Sequence, residues 1–226
     1  MFDLALMWDG VIQYRAQIGE AVGETFVMVG ISLLAAVLLG LPAGTILFLT
    51  GKGQLYENRL WSGVLNGVVN IVRSFPFLLL VVFMIPLTRL IVGTAIGTLA
   101  ASVPLAVVAI AIYARFVEQS LLEVPRGVIE SARSMGATRL QIVRKFLFVE
   151  ARSGLVLGLT SATISFISYS TVMGVVGGGG VGDFAIRYGY QRFETELMAA
   201  VIVLMIILVQ GIQFLGNALS RWLDKR

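Results

Sequence analysis

Long apolar runs, separated by short polar segments, dominate the hydrophobic pattern of the chain. A helix needs about 20 apolar residues to cross the hydrocarbon core of a bilayer. Five runs meet this requirement, over residues 25–50, 75–92, 94–116, 154–176 and 197–219. The pattern predicts an all-α membrane protein with five transmembrane helices, which together form one domain over residues 1–226.

The composition supports the same interpretation. Hydrophobic residues make up 58% of the 226 positions and charged residues 13%, which is about half the charged share of soluble domains. A soluble chain of this size has too small a core to hide so much apolar surface from water. The bilayer must therefore solvate part of it, and a very hydrophobic soluble protein is the disfavoured alternative.

The basic residues are distributed unevenly between the predicted loops. With the N-terminus outside, the inner segments 51–60, 115–152 and 221–226 hold 12 of the 17 basic residues, and the outer segments hold four. Lysine and arginine accumulate in cytoplasmic loops, so the count predicts an N-out, C-in orientation.

Arg73, the remaining basic residue, borders the second predicted span and allows two interpretations. It precedes Arg89 by 16 residues, which corresponds to about 24 Å along a helix. The two arginines are therefore suitable anchors at opposite membrane interfaces. Alternatively, Arg73 is a charge on a pathway inside the bundle.

The chain contains no cysteine and no histidine. This composition excludes disulfides, thiolate or imidazole metal sites, and any nucleophile that needs a histidine base. We therefore predict no catalytic site and no metal site. The basic residues are not interleaved with aromatic residues, so no nucleic-acid partner is expected. Asp3 and Asp9 precede the first basic residue, Arg15, and we expect no cleaved targeting segment.

A glycine-rich segment follows the fourth span and matches G-x-G-x-x-G at Gly177, Gly179 and Gly182. That pattern binds nucleotides where it joins a strand to a helix, and no such unit is predicted here. No Gly-Lys-Ser/Thr segment is present either. The chain therefore shows no site for nucleotide, and energy for any driven process would come from another polypeptide or from an ion gradient. No acidic or basic residue lies in the stretches 25–50, 75–88, 94–114, 154–182 and 197–220. The acidic residues are expected in loops or at helix ends, and both features disfavour ion coupling.

Small and kinking residues recur within the spans. Four-residue spacing of glycines favours close helix packing, and prolines inside spans predict kinks. The pairs are Gly40/Gly44, Gly93/Gly97 and Gly154/Gly158, and the prolines are Pro42, Pro76 and Pro104.

The segment 115–152 is too long for a simple connection and contains helix signals. Pro125 suits the start of a helix, and Gly136 suits its end in a left-handed cap. Thr138 to Gln141 has the spacing of a capping box. The apolar face of the helix would contain Val128, Ala132 and Met135, and the charged face Arg126, Glu130 and Arg133. We predict a helix, a turn and a second helix in the cytosol; an amphipathic helix on anionic lipid is the alternative.

The segment Glu130-Ser131-Ala132-Arg133-Ser134-Met135-Gly136 resembles the E-A-A-x-x-x-G signature of the permeases of ATP-binding-cassette importers. Nine residues later the signature continues as I-x-L-P, and here Phe146, Phe148 and Val149 differ from it. Further segments resemble the methionine-importer permeases. They are 70–77, 85–89, 93–94, 169–170, 177–182 and 188–190.

This resemblance implies a type I importer permease in a bacterial inner membrane, with a coupling loop at about 117–152. The implied assembly has a second copy of the chain, two ATPase subunits and an extracytoplasmic substrate-binding protein. The chain itself would hold no cofactor, because ATP and magnesium bind to the ATPase. The implied substrate is D- or L-methionine or a close derivative.

The resemblance also implies two groups of functional residues. The residues that dock on the ATPase would be Val128, Glu130, Ser131, Ala132, Met135, Gly136 and Ala137. The residues that line or gate the pathway would be Arg73, Ser74, Pro76, Tyr169, Ser170 and Met173. Three alternatives stay open: a permease for another amino acid or small organic ion, an ion-coupled carrier, and an intramembrane enzyme.

Overall fold

A computed structural model describes residues 4–224 of the chain. Within this range the regular structure is entirely helical. The N-terminal and orientation predictions depend in part on Asp3, Lys225 and Arg226, which lie outside the described residues. The coarse fold prediction, an all-helical chain, is confirmed for the described part.

The helices are numbered here in chain order. They are α1 (Leu4–Gln13), α2 (Arg15–Thr50), α3 (Arg59–Ser74), α4 (Phe77–Phe83), α5 (Ile85–Val92), α6 (Thr98–Leu122), α7 (Arg126–Ser134), α8 (Arg139–Val175), α9 (Gly180–Phe184) and α10 (Thr195–Leu223). Three π-helical turns accompany them: Ala36–Gly40 within α2, Ile142–Leu147 within α8, and Ala185–Tyr190 directly after α9.

Four of the described helices, α2, α6, α8 and α10, are long and apolar enough to cross a membrane. The pair α3 and α4 is sharply bent at the short break between them, and it counts as a fifth candidate if it forms one broken span. The predicted number of five spans therefore corresponds to four unbroken helices and one broken pair.

The prediction of one continuous second span over 75–92 is wrong. The chain is broken before Phe77 and again at Met84, so that α4 and α5 are short helices. Pro76 has an extended backbone, with ψ of 123°, and a proline also disfavours the helical conformation of the residue before it. Pro86 lies in the first turn of α5, where its missing N–H is not needed.

The expectation that acidic residues lie only in loops or at helix ends is also wrong. Helix α2 begins ten residues before the predicted span, so Glu20 and Glu24 lie within it. Helix α6 continues to Leu122 and therefore includes Arg115 and Glu118. Apolar periodicity reports the hydrophobic part of a helix, and it misses polar turns that continue the same helix.

The prolines inside the long helices are accommodated differently. Pro42 follows the π turn of α2, in which the Leu41 N–H donates to the Ala36 carbonyl. Because proline has no N–H, a wider turn at this point leaves fewer backbone groups without partners. Pro104 lies inside α6, which continues through it.

The contacts divide the chain into two compact units, described separately here. The first unit contains residues 4–34, 75–107 and 163–212. Its core has two clusters of buried side chains. One consists of Ala21, Val181, Phe184, Leu197 and Val201, and the other of Met28, Val81, Ala101, Leu105 and Met173.

The second unit contains residues 35–74, 108–162 and 213–224, with Leu47, Val69, Ala111 and Ala114 at its core. Two of the predicted glycine pairs pack helices closely here. A Cβ on Gly40 would lie 2.9 Å from the Ile110 carbonyl oxygen, and one on Gly158 would lie 2.9 Å from Phe116 Cβ. Their partners Gly44 and Gly154 also face α6.

The prediction for the third pair is wrong. Gly93 and Gly97 have φ values of 84° and 100°, and they lie in the turn between α5 and α6. No atom of another residue would crowd a Cβ at either position within 4 Å. These glycines provide backbone freedom and not a helix-packing surface.

Candidate functional site

Helix α7 ends as the sequence predicts, in a left-handed glycine. Gly136 has a φ of 75°. Its N–H donates to the Arg133 carbonyl at 2.9 Å, and the Ala137 N–H donates to the Ala132 carbonyl at 3.0 Å. These two hydrogen bonds form a Schellman motif, which satisfies carbonyls that the helix end would leave free.

The chain then reverses into α8 through the predicted capping box. The Thr138 hydroxyl accepts from the Gln141 N–H, and the Gln141 side chain accepts from the Thr138 N–H at 2.8 Å. Helix α7 packs against the π turn of α8, and the Arg139 guanidinium lies 4.9 Å above the ring of Tyr56. The predicted helix, turn and helix are therefore confirmed as local structure.

The seven candidate docking residues differ in exposure. Glu130, Ser131, Met135 and Gly136 are exposed, and Val128 and Ala137 are half-buried. Ala132 has no exposed surface, so it anchors α7 to its own chain. Met135 was expected on the same face as Ala132 and is nevertheless 68% exposed, because the helix ends before it.

A polar cleft lies beside α7 that the sequence did not predict. The loop after α2 contributes Gly53, Gln54 and Leu55 to its lining, and the helix contributes Arg126, Ile129, Glu130 and Arg133. The cleft has a volume of about 140 Å³. Since these segments are more than 70 residues apart in the sequence, periodicity alone could not place them together.

A second feature that the sequence did not predict is a charged cluster between α3 and α6. Arg115 donates to Asn66 Oδ1 at 3.0 Å and to Asn70 Oδ1 at 2.8 Å, and it forms an ion pair with Glu118. The arginine and glutamate side chains are only 17% and 14% exposed. The i,i+3 spacing of Arg115 and Glu118 and the i,i+4 spacing of the asparagines were the available sequence signals.

The candidate pathway residues at the bend are exposed. Arg73 and Ser74 form the last turn of α3 in the second unit, and Pro76 precedes α4 in the first unit. All three are solvent-accessible in the isolated chain.

The remaining candidates are packed inside the first unit. The rings of Tyr169 and Phe77 are 4.6 Å apart, and the Ser170 hydroxyl donates to the Ile167 carbonyl at 2.7 Å. Met173 is 2% exposed and lines a cavity of about 60 Å³ beside Pro104. Small-molecule sites usually measure about 300–1,000 Å³, so this conformation holds no open substrate pocket at Met173.

The glycine-rich turn before α9 receives a carboxylate from α2. Glu24 Oε2 accepts from the Gly180 N–H at 2.6 Å, and Glu24 Oε1 accepts from the Thr98 hydroxyl at 3.3 Å. A Cβ on Gly179 would lie 2.5 Å from Glu24 Oε2. Gly179 also has a φ of 79° and a ψ of −160°, a conformation that glycine adopts far more readily than other residues. The sequence did not predict the contact with Glu24.

Comparison with known proteins is consistent with these features. The family of binding-protein-dependent transport system inner membrane components matches residues 36–226. The probable D-methionine transport system permease protein MetI of Vibrio cholerae is 50% identical over 91% of this chain and 92% of its own length. The methionine import system permease protein MetP of Bacillus subtilis is 39% identical over 80% of this chain and 82% of its own length.

Solved structures agree at the level of the fold. A chain of the MetNI methionine ABC transporter, in an inward-facing conformation, aligns with a TM-score of 0.91 at 44% identity, over 94% of this chain and 99% of that one. An amino acid ABC transporter aligns with a TM-score of 0.77 at 18% identity, over 93% of this chain and 96% of that one, and supports the fold only. The chain is therefore a multi-pass membrane protein that belongs to the family of binding-protein-dependent transport system inner membrane components.

Proposed function

We propose that the chain is the permease subunit of an ATP-binding-cassette importer and carries D- or L-methionine, or a close derivative, into the cytoplasm. The observation that carries this proposal is the 50% identity to a D-methionine permease over 91% of the chain. The TM-score of 0.91, at 44% identity, with a chain of a methionine ABC transporter also supports it.

The proposed assembly contains two copies of this chain, two ATPase subunits and an extracytoplasmic binding protein. The family description names dependence on a binding protein, which supports the last of these partners. The chain itself is a transport component and not an enzyme, and ATP and magnesium would bind to the ATPase. Residues 1–226 would form one permease domain, with its coupling loop at about 117–152.

The proposed orientation is N-out and C-in, so that α7 lies in the cytoplasm. The excess of basic residues in the segments around α7 supports this orientation. Single cysteines test it cleanly, because the chain has none. Ser134→Cys and Gln191→Cys both replace exposed residues. An impermeant thiol reagent added to intact cells should label only Gln191→Cys, and labelling of Ser134→Cys alone would reverse the topology.

Helix α7 would dock in a groove of the ATPase through its exposed residues. Glu130, Ser131 and Met135 are available for this contact, whereas Ala132 is enclosed by its own chain. Val128, Gly136 and Ala137 would support the helix and its turn. Closure of the ATPase dimer would move the two coupling helices as rigid bodies and bias the permease between inward-open and outward-open states.

Two groups of residues are proposed for the pathway. Arg73, Ser74 and Pro76 lie at the bend, where a break in a span exposes backbone groups to substrate or water. Tyr169, Ser170 and Met173 would act as a gate, because they are packed in this conformation. Arg73 is also suited to anchoring at the interface.

Affinity purification tests the assembly. Tagged chain solubilised from its native membrane should retain an ATPase with phosphate-binding and magnesium-binding motifs in a 1:1 ratio. Met135→Glu should weaken this association, because it places a charge on an apolar contact, whereas Trp222→Glu, at an exposed position after the last predicted span, serves as a control outside α7. Purification without any ATPase, or equal retention by both variants, would contradict the proposed docking.

A further inference from the structure

The turn between α9 and α10 has two aromatic side chains exposed on the surface of the chain. We call residues 188–193 the aromatic loop. Tyr190 is 71% exposed and Phe193 is 87% exposed. Phe193 is also the only non-glycine residue with a positive φ, of 60°, among the described residues. This left-handed conformation is unfavourable for a bulky residue, so its surroundings must hold it there.

Hydrogen bonds and ring contacts hold the base of the loop against the first unit. The Gln191 N–H donates to the Ile186 carbonyl at 2.9 Å, and the Tyr14 hydroxyl donates to Glu194 Oε1 at 3.1 Å. Tyr188 stacks on Phe184 with ring centroids 4.7 Å apart, and the Arg192 guanidinium lies 4.5 Å above the Tyr188 ring. The loop is therefore preorganised, with its two exposed rings beyond a fixed base.

We propose that the aromatic loop is the docking surface for the extracytoplasmic binding protein. This inference rests on the proposed function, and on an orientation in which the loop after α9 lies outside the cytoplasm. The family depends on a binding protein, which requires a contact surface on that side. Tyrosine and arginine are frequent among the residues that dominate protein interfaces, and a preorganised surface loses less entropy on binding.

The chemistry of the loop defines what the partner must offer. Phe193 would enter a shallow apolar pocket, and Arg192 and Tyr190 would meet carboxylate or carbonyl acceptors at its rim. Membrane lipid is the competing contact, since aromatic residues also collect at bilayer interfaces. The backbone of Phe193 favours protein, because its positive φ fixes the direction of the ring, whereas fluid lipid adapts to a side chain without such a constraint.

Binding to the reconstituted permease–ATPase complex in nanodiscs tests the proposal. Phe193→Ala should weaken the affinity for the binding protein at least about tenfold, while assembly with the ATPase and its basal activity stay unchanged. Phe193→Gly removes the strain together with the ring and should lose as much affinity, since the ring makes the contact. Phe214→Ala, at a position 66% exposed in α10, should bind like the wild type.

A crosslinking experiment separates the two contacts. Because the chain has no cysteine, Gln191→Cys carries a benzophenone maleimide at one exposed position of the aromatic loop and leaves the Phe193 ring in place. Photocrosslinking to the binding protein would support the proposal, and crosslinking to lipid alone would overturn it. Unchanged affinity of Phe193→Ala would overturn the docking surface while leaving the importer function intact. A wild-type complex that binds no such protein would overturn both proposals.

Discussion

At the scale of single residues, Gly136 and Arg115 show which local features the sequence predicted and which it did not. Gly136 ends α7 with a φ of 75°, and Arg115 pairs with Glu118 inside α6. The sequence predicted the first, because a glycine directly after the last apolar position of a helical pattern, here Met135, is a recognisable helix stop. It did not predict the second, because the partners Asn66 and Asn70 belong to another helix.

We predict that Gly136→Val weakens ATPase association about tenfold and reduces transport, whereas Gly136→Asn stays close to the wild type. No other residue would crowd a Cβ at this position within 4 Å, so the effect should come from backbone strain. Asparagine tolerates the left-handed conformation and valine does not. The affinity for the ATPase measures the effect, with circular dichroism as a control for folding. Wild-type ATPase affinity and wild-type transport by Gly136→Val would contradict the proposed role of this turn in docking.

We predict that Arg115→Met lowers the free energy of unfolding by about 3 kcal/mol, because it leaves the Glu118 carboxylate buried without its cation. The double variant Arg115→Met/Glu118→Gln should recover part of this loss, since it removes the unpaired charge. Arg144→Met, at an exposed position in α8, is the matched control. Denaturation in detergent measures the free energy of unfolding of the three variants. Equal stability of Arg115→Met and Arg144→Met would contradict a stabilising role of the Arg115–Glu118 pair.

At the scale of helices, close packing depends on whether a glycine faces a neighbour. Gly44 and Gly158 both face α6, whereas Gly67 in α3 has open space where a Cβ would lie. The four-residue spacing identified Gly40/Gly44 and Gly154/Gly158 correctly and failed for Gly93/Gly97. Spacing carries no information about which helix lies opposite, or about whether the segment is a helix at all.

We predict opposite effects for two alanine substitutions. Gly44→Ala would bring a methyl group against the Ala114 carbonyl and 2.7 Å from Val117 Cβ, and it should destabilise the chain by about 1–3 kcal/mol. Gly67→Ala should stabilise it by about 0.5–1 kcal/mol, because alanine restricts the unfolded chain without a clash. Thermal unfolding in detergent compares them, and similar shifts for both variants would contradict the proposed helix contact.

The apolar pattern of the sequence predicted the long helices but not the bent pair. The four long helices were found because each contains an uninterrupted apolar run. The bent pair α3 and α4 was misassigned because the strongly amphipathic residues of α3 do not form such a run, and because Pro76 and Pro86 interrupt the next one. The start and the end of helix α7 were predicted because both have local signals, whereas Met135 was placed on the apolar face and is exposed.

At the scale of the whole molecule, the class of protein followed from the sequence, but the arrangement of the candidate pathway did not. The coupling signature at Glu130 to Gly136 and the segments around Asn70 and Tyr169 already indicated an importer permease. The relatives and the aligned structures support that conclusion. The packing of Met173 and the Glu24 contact with Gly180 depend on residues distant in sequence, and periodicity does not report such contacts.

The most direct test of the central claim is ATP-driven uptake of labelled methionine. Vesicles would contain this chain with its ATPase and its binding protein, the ATP being on the side of the ATPase and the binding protein on the opposite side. We predict that methionine accumulates only with hydrolysable ATP, and that unlabelled D- or L-methionine competes better than leucine, histidine or glutamine. Accumulation of one of those amino acids without accumulation of methionine would contradict the claim.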